Sequence, residues 1–268
     1  MSERVDFSAN APIYDRRHGA AVPDEGVAHL WSAAGCRPGI RMLDVGAGTG
    51  RVAIPLARRG ATVVAVEPAA GMLKQLREKD SDRKVHALAA EGARLPLVSS
   101  SVDAVVIARL LYLTPDWRAI LDEACRVLND GGCLLHEWGN GEAAEEWVRI
   151  REEARRLFEQ AGVVAPFHLG VRSEAEVANY LASLHMTRVS DVAVGTGPIM
   201  PLGEFLRRIT TGELSYIWNV PEPIRAVCLP VLARWCERTF DLQTPMPIPR
   251  QLGWTIYRWS ADVARETV

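Results

Sequence analysis

The sequence lacks the features that mark several classes of protein. Its five cysteines are odd in number and scattered, and no two form a C-x-x-C pair, so neither a disulfide framework nor a zinc ribbon is expected. Lysine and arginine number 31 against 33 aspartates and glutamates, so no net positive charge attracts a polyanion. The longest apolar stretch, 102–113, is broken by Asp103 and Arg109 and is too short to span a bilayer.

The first residues also lack the apolar segment of a secretory signal, and we therefore expect a cytoplasmic protein. The chain has 268 residues, which predicts one domain with additions. Apolar residues make up 48% and charged residues 24%, an ordinary globular composition that excludes disorder of the whole chain.

Strand-like and helix-like patterns alternate from about residue 40 to residue 138. This order predicts an α/β fold with a parallel sheet and helices on both faces. Strands are predicted at 41–45, 61–66, 84–88, 102–108 and 133–138, helices at 51–59, 70–79 and 117–128, and a turn at 129–132.

The pattern changes after Trp138. Ser173 is a predicted N-cap for the helix that follows it. A helical stretch between two late strands is too long to be a loop, and we interpret it as a cap over the ligand-binding edge of the sheet. Helices are predicted at 142–161, 174–184, 202–209 and 224–240, and strands at 186–194 and 253–259. The predicted organisation is an N-terminal segment and helix (1–36), a core (37–196 and 251–268) and a helical cap insert (197–250).

The most informative segment runs from a buried strand into three alternate glycines, Gly46, Gly48 and Gly50, and then into a helix. Glycine permits positive φ and lets a ligand approach the backbone closely. The first helix turn adds unpaired N–H groups. In a doubly wound sheet this turn lies at the carboxyl edge, where ligands bind.

The spacing distinguishes among the possible ligands. A dinucleotide-binding loop has a third glycine where this chain has Arg51, and a P-loop would continue with Gly-Lys-Ser/Thr. Glu67 ends the second strand, 21 residues after Gly46. A carboxylate at that position accepts hydrogen bonds from the ribose hydroxyls of an adenosine.

These motifs resemble those of the class I S-adenosylmethionine-dependent methyltransferases. The match runs through 43–50, 64–68, 91–97, 101–105, 111–117 and 126–132, and it is closest to the branch typified by ubiquinone/menaquinone-biosynthesis methyltransferases. The resemblance covers about residues 40–138 and implies a doubly wound, mostly parallel seven-stranded sheet of the Rossmann-like methyltransferase type. The 197–250 insert has no counterpart in it.

The resemblance also assigns roles by motif, with S-adenosylmethionine as the cofactor and no metal. Asp44 would either fix the glycine loop or meet the amino group of the cofactor. Outside the resemblance, Tyr14 in the segment 14–17 is expected either to fold over the cofactor as part of an N-terminal lid or to belong to a disordered leader. The other implied contacts are Gly46, Ala47 and Gly48 with methionine and ribose, Glu67 with the ribose hydroxyls, Pro68, Glu91 and Gly92 with adenine, and Arg109 and Leu110 with the methionine carboxylate and methyl group.

The catalytic residues are less clear. Tyr112 stands where relatives often have His, and it would either orient a nucleophile or pack under the cap. His136 is either a general base or an inner histidine with its hydrogen bonds satisfied. Because neighbours in a strand point to opposite faces, His136 and Glu137 are expected not to be buried together. His168 lies on a proline-rich loop and is a third candidate.

Methyl transfer from a sulfonium is an in-line displacement, so the protein must chiefly align donor and acceptor. The span 205–259 holds 8 of the 18 aromatic residues, which favours a small aromatic or lipophilic acceptor, although the same residues could only join the cap to the sheet. A tRNA or rRNA methyltransferase would need a basic stripe. A non-catalytic S-adenosyl-ligand-binding protein is the third hypothesis, and an NAD-linked dehydrogenase is disfavoured by Arg51.

Overall fold

The computed structural model describes residues 7–18, 21–138, 145–164, 170–193, 199–247 and 253–259. The strands are β1 (Arg41–Val45), β2 (Thr62–Val66), β3 (Val85–Leu88), β4 (Val102–Ala108), β5 (Leu128–Glu137), β6 (Met186–Ala193), β7 (Ile199–Pro201), β8 (Pro245–Pro247) and β9 (Gly253–Trp259). The helices are α1 (Phe7–His18), α2 (Asp24–Ala33), α3 (Ala53–Arg58), α4 (Ala70–Lys79), α5 (Trp117–Val127), α6 (Glu145–Gln160), α7 (Glu174–Ser183), α8 (Leu202–Thr210) and α9 (Glu222–Thr239).

The described chain divides into two compact units. The sheet unit comprises the described residues 7–18, 21–138, 170–193 and 253–259, and the helical unit comprises 145–164 and 199–247. None of the described helices is long and apolar enough to cross a membrane.

The sheet unit contains a seven-stranded sheet in the order β3-β2-β1-β4-β5-β9-β6. The first five strands are parallel, while β9 pairs antiparallel with both β5 and β6. The predicted doubly wound, mostly parallel sheet is therefore confirmed. Reversal of the order after β1 places the carboxyl ends of β1 and β4 next to each other, where such sheets bind ligands.

Alternation along the central strands fills two separate apolar layers. In β1, Met42 belongs to the layer that packs against α2 and α3, whereas Leu43 and Val45 belong to the layer that packs against α5 and α7. Because both faces are covered, the inner strands have near-continuous apolar runs. At about 25 cal/mol for each Å² buried, these two layers are the main stabilisation of the sheet.

The helical unit has its own core, formed by α6, α8 and α9. Phe205 of α8 stacks on Trp147 of α6 with ring centroids 3.9 Å apart and planes 6° apart. Trp235 of α9 meets Phe240 edge-on. These aromatic side chains fill the core of the unit by packing against one another.

Three local predictions need correction. The N-terminal region forms two helices, α1 and α2, where one was expected. Strand β5 begins at Leu128 and not at Cys133. The register of its pairing with β4 shifts between Leu128 and Cys133, so residues 129–132 form a bulge. No strand was predicted at 199–201 or 245–247, but these residues pair as the two-stranded ribbon β7–β8.

Ser173 caps α7 as predicted, because its hydroxyl accepts a hydrogen bond from the amide of Glu176.

Candidate functional site

The glycine loop adopts a backbone that only glycine tolerates well. Gly46, Gly48 and Gly50 have φ of 70°, 56° and 82°. The amide of Gly46 donates to the carbonyl of Val66 over 2.8 Å, which ties the loop to β2. A Cβ at Gly46 would lie 2.9 Å from Cδ2 of Leu110, so a side chain there would collide with the residue predicted to face the methyl group.

Glu67 at the end of β2 supports this loop. Its Oε2 accepts from the amide of Gly48 over 3.0 Å, and its Oε1 accepts from the amide of Ala69 over 2.9 Å. Burial raises the pKa of Glu67, and these two amides oppose the rise. Because each carboxylate oxygen has two lone pairs, both oxygens can still accept a hydrogen bond from a ligand.

Asp44 in β1 is a buried carboxylate near the start of α3. It is 2% exposed, and neither carboxylate oxygen has a hydrogen-bond partner among the described residues. Burial raises its pKa to about 7, and the nearby positive charge of Arg51 and the backbone amide of Ala53 partly oppose the rise. Asp44 can therefore either keep its proton near neutral pH or pair with a cationic group.

Next to Asp44 lies an ion cluster that sequence reasoning missed. Glu137 at the end of β5 is fully buried and bridges two arginines. Its Oε1 accepts from Nε of Arg109 over 3.0 Å, and its Oε2 pairs with Arg51. Arg109 has a φ of 55°, and its amide donates to the carbonyl of Glu137 over 2.9 Å. The cluster therefore links the chain at the ends of β1, β4 and β5.

Helix α1 lies against the glycine loop. Cε1 of Tyr14 is 3.8 Å from the position that a Cβ of Gly48 would take. Asp15 accepts a hydrogen bond from the hydroxyl of Thr49 over 2.5 Å and forms an ion pair with Lys79 of α4 over 2.8 Å. The contacts of Asp15 with Thr49 and Lys79 thus hold α1 in place and keep Tyr14 beside the glycine loop.

The residues predicted near adenine lie at the ends of β2 and β3. Pro68 and Glu91 are exposed, and the charge of Glu91 adds to the rise in the pKa of Glu67. A Cβ at Gly92 would lie 2.7 Å from Cγ1 of Val45, so Gly92 lies close to the end of β1. Asp44, the glycine loop, Glu67, Glu91, Gly92, Leu110 and Tyr14 therefore come together at the carboxyl edge of the sheet.

Of the catalytic candidates, His136 and Tyr112 both lie near Trp138, with ring centroids 6.2 Å and 6.0 Å from it. His136 is 1% exposed, and burial lowers its pKa to about 4. Its Nδ1 has no hydrogen-bond partner among the described residues. His136 is therefore buried, but it does not have the full set of hydrogen bonds that an inner histidine was expected to have. His168 lies outside the described residues.

The expectation that His136 and Glu137 are not buried together is wrong, because β5 is a central strand with both faces covered. Glu137 and Arg51 could have been found from the rule that polar residues at strand ends of an open α/β sheet gather at one edge. Among the described residues, no group of three or more His, Cys, Asp or Glu side chains is placed to hold a metal ion.

Comparison with known proteins agrees with this geometry. A protein-family model described as "Methyltransferase domain" matches residues 43–136. An uncharacterized methyltransferase of Mycobacterium tuberculosis is 33% identical over 182 residues, which cover 66% of this chain and 72% of that protein. A demethylmenaquinone methyltransferase of a Mycobacterium species is 39% identical over 134 residues, covering 48% of this chain and 56% of that protein.

Solved structures give the same fold at lower identity. The YcgJ protein of Bacillus subtilis superposes with a TM-score of 0.59 at 14% identity, covering 88% of this chain and 98% of that chain. The [4+2]-cyclase SpnF superposes with a TM-score of 0.56 at 15% identity, covering 88% of this chain and 80% of that chain. On the sequence relationship and the shared fold, the chain belongs to the class I S-adenosylmethionine-dependent methyltransferases.

Proposed function

We propose that the chain transfers a methyl group from S-adenosylmethionine to a small aromatic or lipophilic molecule, with the cofactor held at the glycine loop. The observation that carries the cofactor assignment is Asp44, whose buried carboxylate oxygens have no hydrogen-bond partner among the described residues. Asp44 lies beside a loop in which glycines with positive φ leave space for a ligand. The bound cofactor supplies an activated methyl group on a sulfonium. The residues of the chain supply binding, orientation and exclusion of water.

Each residue at the edge of the sheet has a role in this proposal. Asp44 pairs with the amino group, Glu67 accepts from the ribose hydroxyls, and Pro68, Glu91 and Gly92 flank the adenine. The backbone of Ala47 and Gly48 lines the ribose and methionine. The Arg109 side chain is engaged by Glu137, so the backbone of Arg109 and the side chain of Leu110 are the parts we place near the methionine. Tyr14 covers Gly48.

Two observations support a small acceptor over RNA. The relative named for demethylmenaquinone acts on a small lipophilic molecule by that name. In the helical unit, Arg207 and Arg208 are both paired with Glu204 and Glu213, so their charges are neutralised locally. A basic stripe for nucleic acid would need such arginines unpaired.

Calorimetry with S-adenosylhomocysteine, with NAD as the comparison, tests the cofactor site. Glu67→Ala should weaken binding of S-adenosylhomocysteine by about 10- to 100-fold, because a hydrogen bond to a charged group is lost and the Gly48 amide loses its acceptor. Gly48→Val should abolish binding. Glu78→Ala, an exposed member of an ion pair on α4, is the matched control and should bind normally. Binding of NAD alone, or normal binding by Gly48→Val, would overturn the assignment.

The acceptor is tested by release of S-adenosylhomocysteine in the presence of quinols and phenols on one side and unmodified tRNA on the other. Turnover with a quinol or phenol supports the proposal. Turnover with tRNA alone would show that the acceptor is RNA.

A further inference from the structure

The helical unit contains a cavity of about 490 Å³ between the end of α8 and the first half of α9. Small-molecule sites in proteins have volumes of roughly 300–1,000 Å³ and are mostly apolar, with a few polar groups that orient the ligand. The walls of this cavity are largely apolar and include Ile217, Leu229, Ala226 and Ala233. Its size and lining therefore suit a small organic molecule.

Two charged side chains line this cavity, Glu222 and Arg225, and Arg225 is poorly satisfied. The Nε atom of Arg225 is buried and has no hydrogen-bond partner among the described residues. Its Nη1 lies 4.0 Å from the position that a Cβ of Gly212 would take, so the guanidinium lies near Gly212, which also lines the cavity. An arginine nitrogen buried without an acceptor is costly, since a charged donor forms some of the strongest hydrogen bonds in proteins.

Acidic side chains of the same unit do not satisfy Arg225. Glu204 and Glu213 are paired with Arg207 and Arg208. Glu222 also lines the cavity, three residues before Arg225, but it is exposed, and no ion pair forms between these two described residues. Arg225 also lies in the first turn of α9, where the helix dipole adds positive potential.

The other polar groups of the cavity do not compete for an anion. The hydroxyls of Thr210 and Thr211 both donate to the carbonyl of Arg207, and Nε1 of Trp218 donates to the carbonyl of Gly212. Arg225 is thus the charged donor of a mainly apolar cavity. A single guanidinium suits one carboxylate, which it can bind through two parallel hydrogen bonds.

We propose that this cavity is a binding site for a small carboxylate with an apolar body, whose carboxylate pairs with Arg225 and whose hydrocarbon or aromatic part contacts Ile217 and Leu229. This proposal does not depend on the proposal that the cofactor binds at the glycine loop. It would give the protein a second small-molecule ligand, recognised by charge and apolar contact together.

Calorimetric titration of the full chain with octanoate tests the proposal, with 1-octanol and octylamine as probes of the same chain length. Octanoate should bind at least about tenfold more tightly than either, because only the carboxylate pairs with the guanidinium. Arg225→Met should weaken octanoate binding by at least about tenfold and leave 1-octanol unchanged. Ala226→Trp, at an exposed helical position that lines the cavity, should weaken binding of both.

Arg234→Met is the matched control, since it removes an exposed arginine of the same helix that does not line the cavity. Circular dichroism melting shows whether each variant is folded, and S-adenosylhomocysteine titration in parallel separates this site from the glycine loop. Folded Arg225→Met that binds octanoate as the wild type does, or equal affinity of the wild type for octanoate and 1-octanol, would overturn the proposal.

Discussion

Asp44 and Asp103 show how environment changes the effect of a carboxylate on stability. Burial raises the pKa of Asp44 to about 7 from an ordinary 3.8. The hydrogen bond from Arg41 lowers the pKa of Asp103 to about 2. Between pH 3.8 and about 7 the folded state retains a proton on Asp44 that the unfolded chain has lost, so this residue makes the protein less stable as pH rises through that window.

Replacing Asp44 with Asn should therefore remove part of the loss of stability between about pH 5 and about pH 8, by up to about 3 kcal/mol in the free energy of unfolding. Urea unfolding at the two pH values measures this. Asp103→Asn is the control, because the pKa of Asp103 is shifted in the opposite direction. The stability that Asp103 provides is present above its ordinary pKa and is lost only as pH falls towards about 2, so this variant should be less stable than the wild type at both pH values. An unchanged pH dependence in Asp44→Asn would contradict the assigned charge state.

Glu137 makes a second prediction at the scale of single residues. Glu137→Gln keeps the size of the side chain but leaves Arg51 and Arg109 buried without a counter-charge. Breaking a buried pair by removal of one partner costs about 3–5 kcal/mol in the free energy of unfolding. Denaturant unfolding measures this. Arg188→Ala breaks the exposed pair with Asp191, and its cost should be at most about 1 kcal/mol. Equal costs would show that the buried cluster is not a structural link between strand ends.

At the scale of elements, the packing of α1 against α4 depends on the absence of a side chain at Gly71. A Cβ there would lie 2.3 Å from the carbonyl oxygen of Ser8, which is backbone and cannot give way locally. In an ordinary helix, glycine to alanine stabilises by about 0.5–1 kcal/mol. Here Gly71→Ala should displace α1 and so remove Tyr14 and Asp15 from the glycine loop.

Limited trypsin digestion after Arg16 and Arg17 checks this prediction. The displaced helix should be cleaved faster, and the affinity for S-adenosylhomocysteine should fall, whereas Lys74→Ala on the exposed side of α4 should change neither. Digestion of Gly71→Ala at the wild-type rate would mean that α1 is not held by this contact.

The elements that the sequence predicted best are those whose local pattern matches their environment. Strands β1, β2 and β4 are short apolar runs, and the central strands of a parallel sheet need such runs on both faces. Helix α1 is polar and contains Pro12, so its pattern alone is weak, and the contacts of Ser8 and Asp15 with distant residues hold it. The ribbon β7–β8 contains prolines at both ends, which conceals a strand in the sequence.

The candidate site shows the same division. The glycine loop and Glu67 follow a motif in which spacing along the chain is enough. The cluster of Glu137 with Arg51 and Arg109 joins residues 86 and 28 positions apart, and only the order of strands in the sheet brings them together. From the sequence alone, Arg51 is recognised only as the residue that stands where a dinucleotide-binding loop has glycine.

At the scale of the whole molecule, each unit has a core of its own. Ile209 of α8 is fully buried in the core of the helical unit, and Leu121 of α5 is fully buried in the sheet unit. Ile209→Ala should cost about 2–5 kcal/mol and raise amide hydrogen exchange in 145–164 and 199–247, while the amides of β1–β5 stay protected. Leu121→Ala should give the reverse pattern. Equal loss of protection everywhere in both variants would show that the units unfold as one.

The pairing of Ala193 with Gly253 at the ends of β6 and β9 holds the two ends of the intervening segment side by side. With both ends fixed by the sheet, each doubling of the length of that segment costs only about 0.6 kcal/mol in closure entropy. Evolution can therefore replace, lengthen or shorten it at little expense to the strands, provided that α6 changes to match. The glycine loop follows β1 and is tied to β2, which do not pair with β6 or β9. Changes in the length or sequence of the intervening segment should therefore leave the glycine loop unaltered.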